Sequence, residues 1–298
     1  MQIFYKIIYH PLVNPILLLI LKLIPGLPKY LRFPPSGIMN LQLKNGKVIK
    51  LKTNQTCHVT SEVFWNGSSS YEYSDLFEVL FEKSKVFFDV GSNIGYYAIM
   101  AGKTNPDLKT YAFDPSPGPY AYLEDNVKIN KLKNVFPFQT ALSNENGEFS
   151  FQVAFNSKYQ YLKCNSLGGG GHLTGLREDS SPVFVTVKAQ TLDDFVNEHK
   201  ISNLDLVKLD VEEAEHLVLE GGSDTLKKMR PIVVCEVFST DMLHKIQNHW
   251  KGSDYLSYIF IDKKLKLVEY SESNTVSKIE NYFFIPVEKR SWVSTFEA

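Results

Sequence analysis

The apolar run Val86-Phe87-Phe88-Asp89-Val90 breaks at Gly91-Ser92-Asn93-Ile94-Gly95 and resumes as Tyr96-Tyr97-Ala98-Ile99-Met100-Ala101. No other stretch narrows the choice of fold as far. The first five residues, apolar and partly β-branched, read as a strand buried on both faces. The last six are compatible with a helix. Glycines between them let the chain turn sharply and let a ligand approach, while the start of the helix offers unpaired N–H groups. This is a cradle for a nucleotide-type cofactor, yet its spacing is G-x-x-x-G and not the G-x-G-x-x-G of dinucleotide folds. Asp89, just before the turn, would repel a pyrophosphate and attract an ammonium group. S-adenosylmethionine fits that requirement.

Beyond the cradle the chain alternates strand and helix, the pattern of an α/β doubly wound, mostly parallel sheet. Lys109 to Phe113 reads as a second strand ending at Asp114-Pro115, and Asp114 follows Gly91 by 23 residues. That is close to the distance at which an acid meets a ribose diol in dinucleotide folds. The competing reading is a cap for the helix spanning Tyr120 to Lys131. Asn134 to Leu142 reads as a third strand, whose end, Gln139-Thr140-Ala141, would lie beside an adenine. From 143 to 190 the alternation is interrupted by an insertion. Phe149–Phe155 and Val183–Val187 alternate like antiparallel strands around the glycine run 168–171 and His172, which reads equally as a lid or as a surface loop. His172 is a candidate base on such a lid, or merely an exposed loop histidine.

Leu204 to Leu209 reads as a further strand with Asp210 at its end, and Pro231 to Glu236 repeats the pattern. Ligands gather at the carboxyl ends of strands in open α/β sheets, so Asp89, Asp114, Asp210 and Glu236 would converge. Lys208 shares a strand face with Asp210, and a lysine within a sheet needs an acidic partner. A structural ion pair or helix-capping acids are the bland alternative.

The first 84 residues read as an appendage, with the main domain spanning 85–298. Leu41 to Lys52 alternates around Asn45-Gly46 as a β-hairpin does. Pro15 to Leu21 is apolar but too short for a confident membrane span, and no cleavage-site pattern for secretion follows it. It reads as a packing helix, or as a helix lying on a membrane surface with Lys6, Lys22, Lys29 and Arg32 at its flanks. Cys57, Cys164 and Cys235 form neither a zinc pattern nor a disulfide framework, which favours a reducing, cytoplasmic setting, with the membrane periphery as its variant. A net charge of -1 gives no reason to expect nucleic acid as partner.

Phe88 to Tyr97, Ala112 to Pro115, Thr191 to Phe195, Val207 to Glu212 and Pro231 to Glu236 together resemble the FkbM-type methyltransferases. The resemblance runs from about Phe64 to Glu236 and, more weakly, to Tyr282–Pro286. It implies a seven-stranded Rossmann-like sheet whose last strand is antiparallel, and an S-adenosylmethionine-dependent transfer of methyl to a hydroxyl of a sugar, glycan or polyketide-like acceptor. With the geometry, it implies that Asp89, Gly91, Ser92, Asn93 and Gly95 hold the methionine end of the cofactor. Asp114 and Pro115 would meet the ribose, and Gln139 and Ala141 the adenine edge. Asp210, Glu212 and Glu236 lie nearest the acceptor, where one of them would take its proton. Two positions depart from the family: Asp114 stands where Glu is frequent, and Glu213 where Gly is usual.

Clustered carboxylates also suit Mg²⁺, a less favoured addition because the spacing is not diagnostic. A nicotinamide-dependent oxidoreductase lacks its pyrophosphate turn here. A non-catalytic cofactor- or membrane-binding module on the same fold is the remaining alternative, and Glu213 is the feature that favours it.

Overall fold

The computed structural model describes residues 2–153, 155–167, 183–271, 276 and 280–298. The glycine run and His172 lie outside the described residues. Alternating burial builds the expected hairpin, β1 (Gly37–Gln42) against β2 (Val48–Thr53), with Gly46 left-handed at its turn. Met39, Leu41, Ile49 and Leu51 face inward, and the polar residues between them face out.

Three parallel neighbours follow: β3 (Val86–Val90), β4 (Lys109–Phe113) and β5 (Val135–Phe138). The chain then leaves that sheet and builds a smaller one from β6 (Ala141–Ser143), β7 (Gly147–Val153) and β8 (Val183–Thr191), with β8 in the middle and antiparallel to β7. It returns as β9 (Leu206–Leu209), on the other side of β3, and continues outward to β10 (Ile232–Val237). A hairpin of β11 (Tyr255–Ile261) and β12 (Lys264–Val268) follows, and β13 (Glu280–Pro286) slots antiparallel between β10 and β11. The large sheet therefore reads β12-β11-β13-β10-β9-β3-β4-β5.

Two expectations need correction. The sheet has eight strands where the resemblance implies seven, because β12 adds to the edge through a two-residue turn at Asp262-Lys263. Both turn residues have positive φ, as a type I′ turn requires, but neither is the glycine or asparagine that would announce it. The single strand expected from Asn134 to Leu142 is in fact two, since β5 ends at Phe138 and Ala141 already belongs to the second sheet.

Period-two alternation sends Phe87, Ala112, Val234 and Phe283 to one face of the sheet and Phe88, Phe113, Val233 and Phe284 to the other. The first face is covered by the hairpin and by helices Ser74–Lys83 and Tyr96–Thr104, so the appendage and the sheet share one core. Polar bonds fix the hairpin as well. Asn126 and Asn130, one turn apart on helix Pro117–Ile129 and its cap, bond both the N–H and the C=O of Lys52 and Lys50 at 2.6–3.2 Å, as a neighbouring strand would.

Candidate active site

Strand order reverses at β3, with β4 on one side and β9 on the other. The crevice beyond their carboxyl ends is where such sheets bind ligands. Gly91 opens it. Its N–H and that of Ser92 both donate to the Phe113 carbonyl at 2.9 Å, its φ is +79°, and a Cβ there would lie 1.8 Å from the Asp210 carbonyl oxygen. Only glycine fits. Ser92 donates its hydroxyl to the Asp89 carbonyl. Asn93, also left-handed, donates its N–H to Asp114 and its side-chain amide to the Leu167 carbonyl, while its Oδ1 is buried with no hydrogen-bond partner among the described residues. Gly95 is left-handed at the start of the following helix, and a Cβ there would press on Leu123 at 2.5 Å.

Two cavities adjoin in the crevice and share Gly91, Asn93, Asp210 and Glu212. The first, about 790 Å³ including its mouth, is a largely apolar slot between Phe113, Pro115, Ala141, Leu142 and Phe151, with Asp114 at one end. Asp114 is almost fully buried, and its oxygens accept the Asn93 and Ser116 amides at 2.8 and 2.9 Å. Burial nonetheless pushes its carboxyl up to about 7. Ala141 and Pro115 stand in the slot as the sequence suggests. Gln139 does not: with β5 ending at Phe138 it sits exposed, and Thr140 to Leu142 form the wall.

The second cavity is acidic. Tyr71, Glu72, Tyr97, Lys208, Asp210 and Glu236 line it, with His58 and Phe238. Lys208, 2% exposed, lies 2.9 Å from Asp210 and 3.9 Å from Asp89, with the Tyr97 ring beneath it. Burial opposes its charge, but Asp210 and Asp89 more than offset this and hold it protonated. Among the described residues, neither carboxylate oxygen of Asp89 has a hydrogen-bond partner, and burial, only partly relieved by Lys208, pushes its carboxyl up to about 6. An almost unpartnered buried carboxylate is costly, and an incoming cation would remove the cost. Burial, then Asp210, pushes Glu236 up to about 8.

Glu72 is the residue that sequence reading missed. It comes from the appendage, adopts φ +39°, and accepts the Tyr97 hydroxyl at 2.9 Å. It is solvent-accessible through the cavity mouth, yet the protein crowded around it, and then Asp210, raise its carboxyl. Its neighbours divide: Tyr71 lines the cavity, whereas Tyr73 is core and Trp65 packs against it with its indole N–H on the Phe33 carbonyl. The loop after β9 is held from below, where fully buried Glu215 accepts the Val211 N–H at 2.9 Å. In that loop Glu212 and Glu213 are both left-handed, at +54° and +77°. Glycine is favoured in such a conformation, and here Glu212 adopts it half-buried and Glu213 with its side chain exposed. Among the described residues no group of three or more His, Cys, Asp or Glu side chains is arranged to hold a metal ion, and the cation amid these acids is Lys208 itself.

The Asp89 carboxylate, with Lys208 at 3.9 Å but no hydrogen-bond partner among the described residues, the cradle closed to any Cβ, and Asp114 in an apolar slot are a donor set suited to a cofactor with an ammonium group, a ribose and an aromatic base. Comparison with known proteins points the same way. Residues 89–255 match the model of the methyltransferase FkbM domain. The chain is 28% identical over 192 residues to the 2-O-methyltransferase NoeI of Sinorhizobium fredii, covering 63% of this chain and 77% of that one. It is 26% identical over 231 residues to the 31-O-demethyl-FK506 methyltransferase FkbM of Streptomyces tacrolimicus, covering 68% and 83%. A third relative, the hexuronic acid methyltransferase AglP of Haloferax volcanii, is 27% identical over 177 residues, covering 58% and 66%. The family match takes in more than half of the chain and spans Asp89, Asp114, Asp210 and Glu236, and the chain belongs to the FkbM methyltransferase family.

Proposed function

We propose that this chain is an S-adenosylmethionine-dependent O-methyltransferase acting on a hydroxyl of a sugar-like acceptor. The observation that carries the reading is the pair of adjoining cavities, one apolar with Asp114 at its end and one acidic, meeting at Gly91, Asn93, Asp210 and Glu212. When bound, the cofactor supplies a methyl group already activated by a positively charged sulfur. The protein's task is then chiefly alignment, which can supply much of the rate. Asp89 takes the ammonium group, Asp114 accepts from the ribose hydroxyls, and Phe113, Pro115 and Leu142 hold the base. Tyr71 and Glu72 face the acceptor. Glu236, half-buried and with raised proton affinity, takes the hydroxyl proton as the oxygen is alkylated. An alcohol is too weak an acid to ionise beforehand.

The names of two relatives support O-methylation, and that of the third, a hexuronic acid methyltransferase, supports the acceptor class. Glu213 favours a non-catalytic module only if the turn it occupies is lost, and that turn keeps the left-handed backbone a glycine would give.

Calorimetric titration tests the proposal. The parent chain should bind S-adenosylmethionine, and Asp114→Ala should weaken binding roughly 10- to 100-fold, the value of hydrogen bonds to a charged acceptor. Labelled methyl should then pass to a member of a panel of sugars and glycans. Absence of cofactor binding by the parent chain overturns the reading.

A further inference from the structure

Of the 21 large apolar side chains exposed among the described residues, twelve lie between Ile3 and Leu31. They are concentrated on two short helices, Gln2–Ile8 and Asn14–Lys22, and the turns around them. On the second helix, Asn14 and Leu18 point into the protein. Ile16, Leu19, Ile20 and Leu23, spaced as one continuous helical stripe, are 56–82% exposed on the opposite side. A surface helix ordinarily keeps that side polar. Here both sides are apolar, and Ile3 and Ile7 extend the exposed surface onto the first helix.

The charge within this N-terminal segment has one sign. Residues 1 to 61 contain eight lysines and arginines and no acid, whereas the whole chain carries -1. Lys44 and Lys52 are neutralised by Asp75 and Asp125. Lys6, Lys22, Lys29 and Arg32 border the apolar stripe, with Tyr30, 84% exposed, among them. Apolar side chains edged by cations and an aromatic ring are what the interface of an anionic bilayer accommodates. A second copy of the chain would set this positive surface against itself, a repulsive arrangement. The two helices, of seven and nine residues, are too short to span, and no helix among the described residues is long and apolar enough to cross a membrane.

We infer that the N-terminal helices lie flat on an anionic lipid surface, with Ile3, Ile7, Ile16, Leu19 and Leu23 in the acyl boundary and Lys6, Lys29 and Arg32 at the headgroups. This does not depend on the chemistry of the crevice, and its readout is binding alone.

Co-sedimentation of the full chain with vesicles of phosphatidylcholine, with and without phosphatidylglycerol, tests it. The parent chain should pellet with the mixed vesicles, more weakly with the neutral ones, and less as salt is added. Leu19→Ser with Leu23→Ser leaves the charge unchanged and removes two exposed side chains that the core does not need, and it should lower partitioning about 10-fold or more. Lys29→Gln with Arg32→Gln should abolish the preference for the anionic lipid. Unchanged thermal melting of the variants shows that they are folded. The inference is overturned if neither vesicle binds, if the serine variant partitions like the parent, or if the parent is a dimer that this variant converts to monomer.

Discussion

Lys208 is surrounded by more acids than it can neutralise: Asp210 at 2.9 Å, Asp89 at 3.9 Å, and Glu236 and Glu72 across the cavity. Burial first, and then the resistance to each further negative charge there, makes Glu236 hold its proton up to about pH 8. If Glu236 is the base, only its carboxylate form works. Its kcat/KM should then climb with pH up to about 8 and level off above it, with a roughly tenfold gain per unit on the rising limb. Glu236→Gln should cost about 100-fold or more in kcat and remove that limb. A glutamine variant that keeps the rising limb would transfer the base to another residue, with Asp210 and Glu212 next in place. At the same scale, sequence makes the strand-end acids legible because position and chemistry coincide there. Glu72 is not legible. Its place is set by a positive φ and by a tyrosine 25 residues away, neither of which leaves a pattern in the neighbouring residues.

Among the elements, the β3 turn and helix are legible because apolar run, glycines and helix formers fall in order within twenty residues. The hairpin at Gly46 is legible for the same reason. The extra strand β12 and the break after Phe138 depend on tertiary pairing, and local composition gives no cue to either. The attachment of the hairpin is equally hidden, since Asn126 and Asn130 are unremarkable helix-surface residues in sequence and buried strand partners in the fold. Asn126 bonds the Lys52 N–H and C=O and also the Ile94 carbonyl next to the cradle. Asn126→Ala would leave these groups without their partner, and urea unfolding should show a loss of about 3 kcal/mol. A loss below about 1 kcal/mol would mean that the apolar face of the hairpin alone holds it.

For the molecule as a whole, the buried carboxyls set a pH dependence. Burial raises Asp89 to about 6, Asp114 to about 7 and Glu215 to about 8, all above the value of about 4 expected in the unfolded chain. Between these values the folded chain binds more protons than the unfolded one. The stability contributed is therefore complete below about pH 4 and is lost as pH rises through the folded values. The melting temperature should fall between about pH 5 and pH 8 in the absence of ligand, and S-adenosylmethionine should flatten the fall by placing a cation beside Asp89. A melting temperature that rises over this interval would show that these carboxyls are solvated.

The contact between Gly91 and the Asp210 carbonyl, where even one methyl group has no room, ties the turn after β3 to the end of β9. Gly91 therefore cannot be diversified on its own, since any side chain added there collides with the Asp210 backbone. Latitude to accept a different molecule must instead come from parts that approach the crevice from outside the large sheet: His58 and Tyr71-Glu72 from the appendage, and the 155–167 segment that reaches Asn93 through Leu167. A library built to change what this chain methylates has its productive positions there, and its lethal ones at the two strand ends.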